Sequence, residues 1–121
     1  MNDNTLNITT DQGSSLTYTF TLVDSTNAPF VLIGYDARLQ IRRTYGSSIV
    51  LANCTLANSK LALGSNTVVL TLAPTDTTSI QFNSKDDNSL DCVYDLEIVS
   101  PTGKTYKPAR GTFTLNREVT R

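Results

Sequence analysis

Hydrophobic and polar residues alternate with a period of two along most of the chain. Leu16, Tyr18, Phe20 and Leu22 alternate with Thr17, Thr19, Thr21 and Val23. An extended backbone puts the first set on one face and the threonines on the other. Thr is β-branched and favours strands, so a polar sequence can still be strongly β. Tyr35, Ala37, Leu39 and Ile41 alternate with Asp36, Arg38, Gln40 and Arg42 in a second strand. Val68, Leu70 and Leu72 mark a third. Cys92, Tyr94, Leu96 and Ile98 mark a fourth, with Asp95 and Glu97 on its other face, and Phe113 and Leu115 belong to a fifth. Weaker runs predict an N-terminal strand at Leu6 and Ile8 and a short central hairpin from Ile49–Cys54 and Lys60–Leu63. They also predict a return of Thr105 and Tyr106 onto the fourth strand through the hairpin-type turn Pro101-Thr-Gly103.

Turn-forming clusters punctuate these runs: Asp11-Gln-Gly13, Asp24-Ser-Thr-Asn27, Tyr45-Gly46, Gly64-Ser-Asn66 and Asp86-Asp-Asn-Ser89. Short strands at this rhythm predict a sandwich or barrel of antiparallel strands. One segment departs from it. Pro74-Thr-Asp-Thr-Thr-Ser-Ile80 follows a strand and begins with a Pro suited to a first helical turn. It is expected to form one short helical turn near residues 74–79, bridging two sheets, with Ile80 and Phe82 returning to the core. By fold analogy the prediction is an all-β, antiparallel immunoglobulin-like β-sandwich occupying residues 1–121 as a single domain.

Composition narrows the chemistry. The chain has 121 residues and 13.2 kDa, with nineteen Thr, eleven Ser and ten Asn, and neither His nor Trp. Without His there is no Ser-His-Asp triad, no Cys-His dyad and no His-ligated zinc or haem. Two Cys cannot supply a four-thiolate site. No cofactor and no enzymatic activity are expected. Ten Lys+Arg against eleven Asp+Glu leave a net charge of −1, which is no electrostatic footprint for nucleic acid. The first twenty residues lack a signal-peptide pattern, and the longest apolar stretch, Ala28–Ile33, contains a Pro and is too short to span a bilayer. The expectation is a soluble chain made in the cytoplasm, with no membrane partner. There, Cys54 and Cys92 are expected to be reduced and buried rather than joined in a disulfide.

Four groups of residues are candidates for function. Asp86, Asp87, Asn88 and Asp91 offer oxygen ligands for a hard cation, but not at EF-hand spacing; the plainer reading is a solvated loop tip. Arg38, Arg42, Asp95 and Glu97 lie on the polar faces of two strands. If those strands are neighbours, opposite charges meet across the ladder and set register, or form a polar face between subunits. Tyr18, Tyr35 and Tyr94 match apolar faces, which leaves Tyr45, beside Gly46, as the plausible exposed ring. Lys104, Lys107, Arg110, Arg117 and Arg121 place five of the ten cations in the last eighteen residues, opposed by Glu118. They read as edge protection or as a docking strip for an acidic neighbour. With Arg38 and Arg42 they form the candidate subunit interface. The polar segment Met1–Thr5 has little reason to order alone and is expected to pack on a neighbouring chain.

Several runs together carry a resemblance. They are Gly34-Tyr-Asp-Ala-Arg-Leu-Gln-Ile-Arg42, Val93-Tyr-Asp-Leu-Glu-Ile98, the turn at Gly103, Gly111-Thr-Phe-Thr-Leu115 and Glu118-Val-Thr-Arg121, preceded by Asp11-Gln-Gly13. In order and spacing the chain resembles a group of small tailed-bacteriophage virion proteins. That resemblance covers nearly the whole chain except Ser47–Asn66. It implies a non-enzymatic structural component of the virion, made in the host cytoplasm and present in several copies. Its partners would be other virion proteins and copies of itself. The expected location is the neck or tail/baseplate region, with capsid decoration as one alternative and a carbohydrate-binding module aiding host adsorption as another.

Overall fold

The computed structural model describes residues 4–120; Met1-Asn-Asp3 and Arg121 lie outside the described residues. In chain order the elements are β1 (Asn4–Thr5), β2 (Ile8–Asp11), β3 (Leu16–Thr21), β4 (Asp36–Arg42), β5 (Ala52–Thr55), β6 (Leu61–Leu63), β7 (Thr67–Leu72), α1 (Thr75–Thr78), β8 (Ser89–Val99) and β9 (Thr105–Asn116). Two sheets face each other. The six-stranded sheet runs β1-β9-β8-β4-β5, with β2 also on β9, and the three-stranded sheet runs β3-β7-β6. This is an all-β sandwich with one short helix, as the alternation and turn rhythm predict, and it is immunoglobulin-like, as the fold analogy expects. The strands β3, β7 and β6 oppose β4, β8 and β9 as the two sheets of that fold do.

Burial follows the alternation. Phe20, Val68, Leu70 and Leu72 point inward from one sheet, and Leu39, Tyr94, Leu96, Phe113 and Leu115 from the other. The rings of Phe20 and Tyr94 meet across the sandwich with centroids 6.2 Å apart. Cys54 and Cys92 are free and buried. Burial pushes the Cys54 thiol up to about 11 and raises Cys92 as well, so both behave as small apolar side chains.

Two connections differ from expectation. The N-terminal strand does not extend the antiparallel pattern: β1 and β2 run parallel to β9, with Thr5 opposite Arg110 and Ile8 opposite Phe113. The segment from Thr5 is thus ordered by its own chain. Between β1 and β2 the Tyr94 hydroxyl donates to Leu6 O at 2.6 Å, and Thr112 N–H donates to the Asn7 side chain. A Cβ at position 111 would lie 2.3 Å from Leu6 O, so Gly111 is what lets the strand approach this closely. The central segments do not form a hairpin either. β5 pairs with β4, and β6 pairs with β7 in the other sheet. Strands of four and three residues make a weak ribbon alone; by separating, each joins a longer ladder, and Cys54 and Leu61 enter the core from opposite sides.

α1 closes one end of the sandwich, and Ile80 returns to the core behind it. Gln12, in the turn before β3, is buried there. Its Nε2 donates to the carbonyls of Thr77, Thr78 and Ile80 at 3.2–3.3 Å, and its Oε1 accepts from Glu118 N–H. The adjacent Gly13 N–H donates to Thr77 Oγ1 at 2.8 Å. Gly13 has φ +78°, the left-handed region that glycine reaches without steric cost. Asp76 accepts from Lys60 Nζ and from Ala73 N–H, both at 2.7 Å. Burial works against its carboxylate, but these donors outweigh burial and hold its pKa below the usual value.

Candidate functional site: a charged sheet face between two exposed poles

Because β4 and β8 are neighbours, the cross-strand pairing that the sequence made conditional is formed. Arg38 lies directly opposite Glu97 and Gln40 opposite Asp95. Arg38 Nε donates to Glu97 Oε1 at 2.6 Å, and its Nη2 pairs with the same oxygen. On β9 the register shifts by one residue: Lys107 and Pro108 together oppose Glu97, between the pairs Leu96–Ala109 and Ile98–Tyr106. Pro108 has no N–H to give a ladder, so a bulge suits it. The bulge turns Lys107 toward the acids, and its Nζ lies 3.3 Å from Asp95 and 3.9 Å from Glu97. Arg110 faces Asp95 across the ladder. Arg38, Asp95, Glu97 and Lys107, with Gln40, Arg42 and Tyr45, line an open depression of ≈ 380 Å³ on the outer face of the six-stranded sheet.

Arg42 occupies this face but opposes Val93, not a carboxylate. Its guanidinium donates to Ser47 O and to Gln40 Oε1. It therefore fastens the β4–β5 connection to the sheet, while Arg38, Lys107, Asp95 and Glu97 form the charge lattice.

The C-terminal cations do not make one strip. Lys104 sits in the turn before β9 and Arg117 just after it, so the twelve residues of β9 hold them roughly 40 Å apart at about 3.3 Å per residue. Lys107 and Arg110 lie on the charged face, and Arg121 is outside the described residues. Arg117 is engaged within its own chain. One guanidinium nitrogen donates to the carbonyls of Ser84, Lys85 and Asp87 at 2.8–3.1 Å. The group also stacks 4.9 Å from the Phe82 ring. Counting charges along the chain grouped Arg117 with Lys107; the strand length separates them.

The acidic loop is likewise committed locally. Asp87 caps Ser84 N–H at 2.9 Å and Asp91 accepts from Thr114 Oγ1 at 2.8 Å. Among the described residues, no three His, Cys, Asp or Glu side chains gather as a metal site would require. Among the described residues, no helix is long and apolar enough to cross a membrane.

The large exposed apolar residues fall at the two ends of the molecule. Val31 (55% exposed) and Ile33 (81%) precede β4, whereas Tyr45 (69%) and Ile49 (69%) follow it. Val119 (92%) follows β9, whose last residue, Asn116, pairs with the first residue of β8. Since β8 is antiparallel to β4, Val119 shares the pole of Tyr45 and Ile49. The seven residues of β4 separate the poles by about 23 Å. Of these five residues, the sequence marks only Tyr45 as exposed; Val31 and Ile33 lie in its longest apolar run, Ile49 is expected in a strand that starts only at Ala52, and no periodicity reports on Val119. No protein-family model matches the chain, and no curated protein matches it.

Proposed function

We propose that the chain is a non-enzymatic structural component of a tailed phage particle, present in several copies and joining neighbouring subunits in the neck or tail/baseplate region. The observation that carries this reading is the pair of apolar poles. A rigid sandwich with exposed Val31 and Ile33 at one end and Tyr45, Ile49 and Val119 at the other suits a part held between two neighbours. The charged face between the poles sets lateral register. The order and spacing of the sequence runs that resemble small virion proteins support the same reading.

The test is quantitative mass spectrometry of purified particles. A ring component is present at about six or twelve copies; a capsid decoration would be present at hundreds; absence from particles refutes the proposal. Ile33→Asp, at an exposed site, is expected to leave the isolated chain folded and to abolish incorporation. A second reading is favoured by Tyr45, an exposed ring at the rim of a depression lined with Arg38, Gln40 and Glu97. This is the kind of platform and polar edge a sugar requires. Glycan binding that vanishes in Tyr45→Ala would establish it in place of the purely structural role.

A further inference from the structure

We infer that β3 is a docking edge for a second copy of this chain, pairing antiparallel with β3 of that copy across a twofold axis through Thr19. The inference deepens the proposed function by naming one partner, and rests on it only for the biological setting.

The argument begins with backbone phase. Thr71 N–H donates to Lys60 O, and Leu22 N–H donates to Asn66 O, each at 2.8 Å. In an antiparallel ladder, successive residues direct their N–H and C=O to opposite sides. On β7 the odd-numbered residues therefore bond β6 and the even-numbered ones bond β3. With Tyr18 opposite Leu70 and Phe20 opposite Val68, the even residues of β3 point inward. The N–H and C=O of Thr17, Thr19 and Thr21 point to the open edge. That edge is vacant because β1 and β2, which precede β3, pair with β9 in the other sheet. Among the described residues, nothing bonds these three N–H and three C=O groups.

The edges at β5 and β6 offer less to a partner. On β5, the Asn58 side chain donates to Asn53 O and accepts from Thr55 N–H. β6 is only three residues long. β3 is six residues long and carries none of the usual protections: no charge, no Pro, no bulge. From Leu16 to Val23 the chain is uncharged.

A twofold partner fits this edge by register and charge. Antiparallel pairing about Thr19 sets Thr17 against Thr21 of the copy and Thr19 against itself. All three are the residues whose backbone groups face outward, so each exchanges both its bonds. A twofold axis opposes like with like, and an uncharged strand is compatible with its own copy where a charged one repels it. The nearest charge, Asp24, would meet Ser14. The same register sets half-buried Tyr18 beside Phe20 of the copy and Leu16 beside Leu22, covering apolar surface at the sheet margin.

The test is sedimentation velocity of the full chain over a concentration series. The expected result is a concentration-dependent doubling of mass. Thr19→Pro removes the N–H on the axis, in an edge position where proline is tolerated, and Thr19→Lys opposes two ammonium groups there; each is expected to stay monomeric. Thr71→Lys, on the same outer face but in the central strand, is expected to dimerise like the wild type. Circular dichroism identifies any variant that fails to fold, and the two Thr19 variants are read independently. A monomeric wild-type chain overturns the inference. So does a dimer that persists in a folded Thr19 variant, or one lost in folded Thr71→Lys, which would mean face stacking. A wild-type monomer that adds only a foreign strand peptide also overturns it. None of these results touches the particle copy number, so the failure of edge pairing and the failure of the virion role are separable.

Discussion

On the six-stranded sheet the outward positions hold Arg38, Gln40, Arg42, Asp95, Glu97 and Arg110. On the three-stranded sheet they hold Thr17, Thr19, Thr21, Ala62, Thr67, Val69 and Thr71. Both rows come from the same alternation, and both sheets turn the same kind of residue inward. The difference shows how each sheet sets its register. The charged face has opposed ion pairs, so a slip of β4 on β8 would break Arg38–Glu97 and bring unlike partners together. The threonine face has no such device, and only its inward residues, Phe20 on Val68 and Leu61 on Leu70, hold it in place. It is also the face whose edge strand is left unguarded.

The sharpest way to break this comparison is to remove one inward leucine from each sheet. Leu70 in β7 and Leu96 in β8 are both fully buried. Leu70→Ala and Leu96→Ala are each expected to lower stability by about 2–5 kcal/mol in urea denaturation. Similar losses mean that the interior carries both sheets alike. A loss under about 1 kcal/mol for Leu96→Ala alone would mean that the outer ion pairs hold the charged sheet, and the comparison would have to be redrawn.

A smaller effect is expected where the two sheets are fastened together. Gln12 links the turn before β3, the segment around α1 and the start of the C-terminal tail. Gln12→Leu keeps much of the volume but removes the amide's bonds to the Thr77, Thr78 and Ile80 carbonyls and to Glu118 N–H. It is expected to cost about 1–3 kcal/mol, measured as a lower denaturation midpoint with an unchanged slope. An unchanged midpoint would mean that water or neighbouring groups satisfy that end of the sandwich, and that the sheets are joined by the core alone.

Much of the threonine face was legible in the sequence, because Thr17, Thr19 and Thr21 alternate with residues that must be buried. The cross-strand meeting of Arg38 with Glu97 was legible as a condition, since period two fixes the face but not the neighbour. What stayed hidden depends on contacts distant along the chain. The parallel seat of β2 on β9 is made by Gly111 and Tyr94, about a hundred residues away, and nothing in Leu6 or Ile8 announces it. The separation of β5 from β6 follows from which longer ladders lie nearby. Gln12 carried only one signal, a long amide between Asp11 and Gly13 in a turn joining two strands, and turn chemistry explains those neighbours without it. Arg117 misled because proximity in sequence stood in for proximity in space along an extended strand.

The smallest expected effect sharpens the comparison most directly, because it asks whether the two faces differ in kind. Arg38 opposes Glu97 on one face and Thr17 opposes Thr71 on the other. A double-mutant cycle with alanine at each pair isolates its coupling. For Arg38–Glu97, whose side chains are 57% and 19% exposed, the coupling is expected at about 0.2–1 kcal/mol. It should fade as salt approaches 1 M, where the Debye length is about 3 Å. The Thr17–Thr71 coupling has no charge to screen and should not change with salt. Raising the salt therefore removes the register-setting term from one face and leaves the other untouched. If both couplings fall together, salt is acting on the core or the unfolded chain, and the ion pairs do not distinguish the faces. If neither falls, the Arg38–Glu97 coupling is carried by the packing of the Arg38 stem, and the charged face holds its register much as the threonine face does.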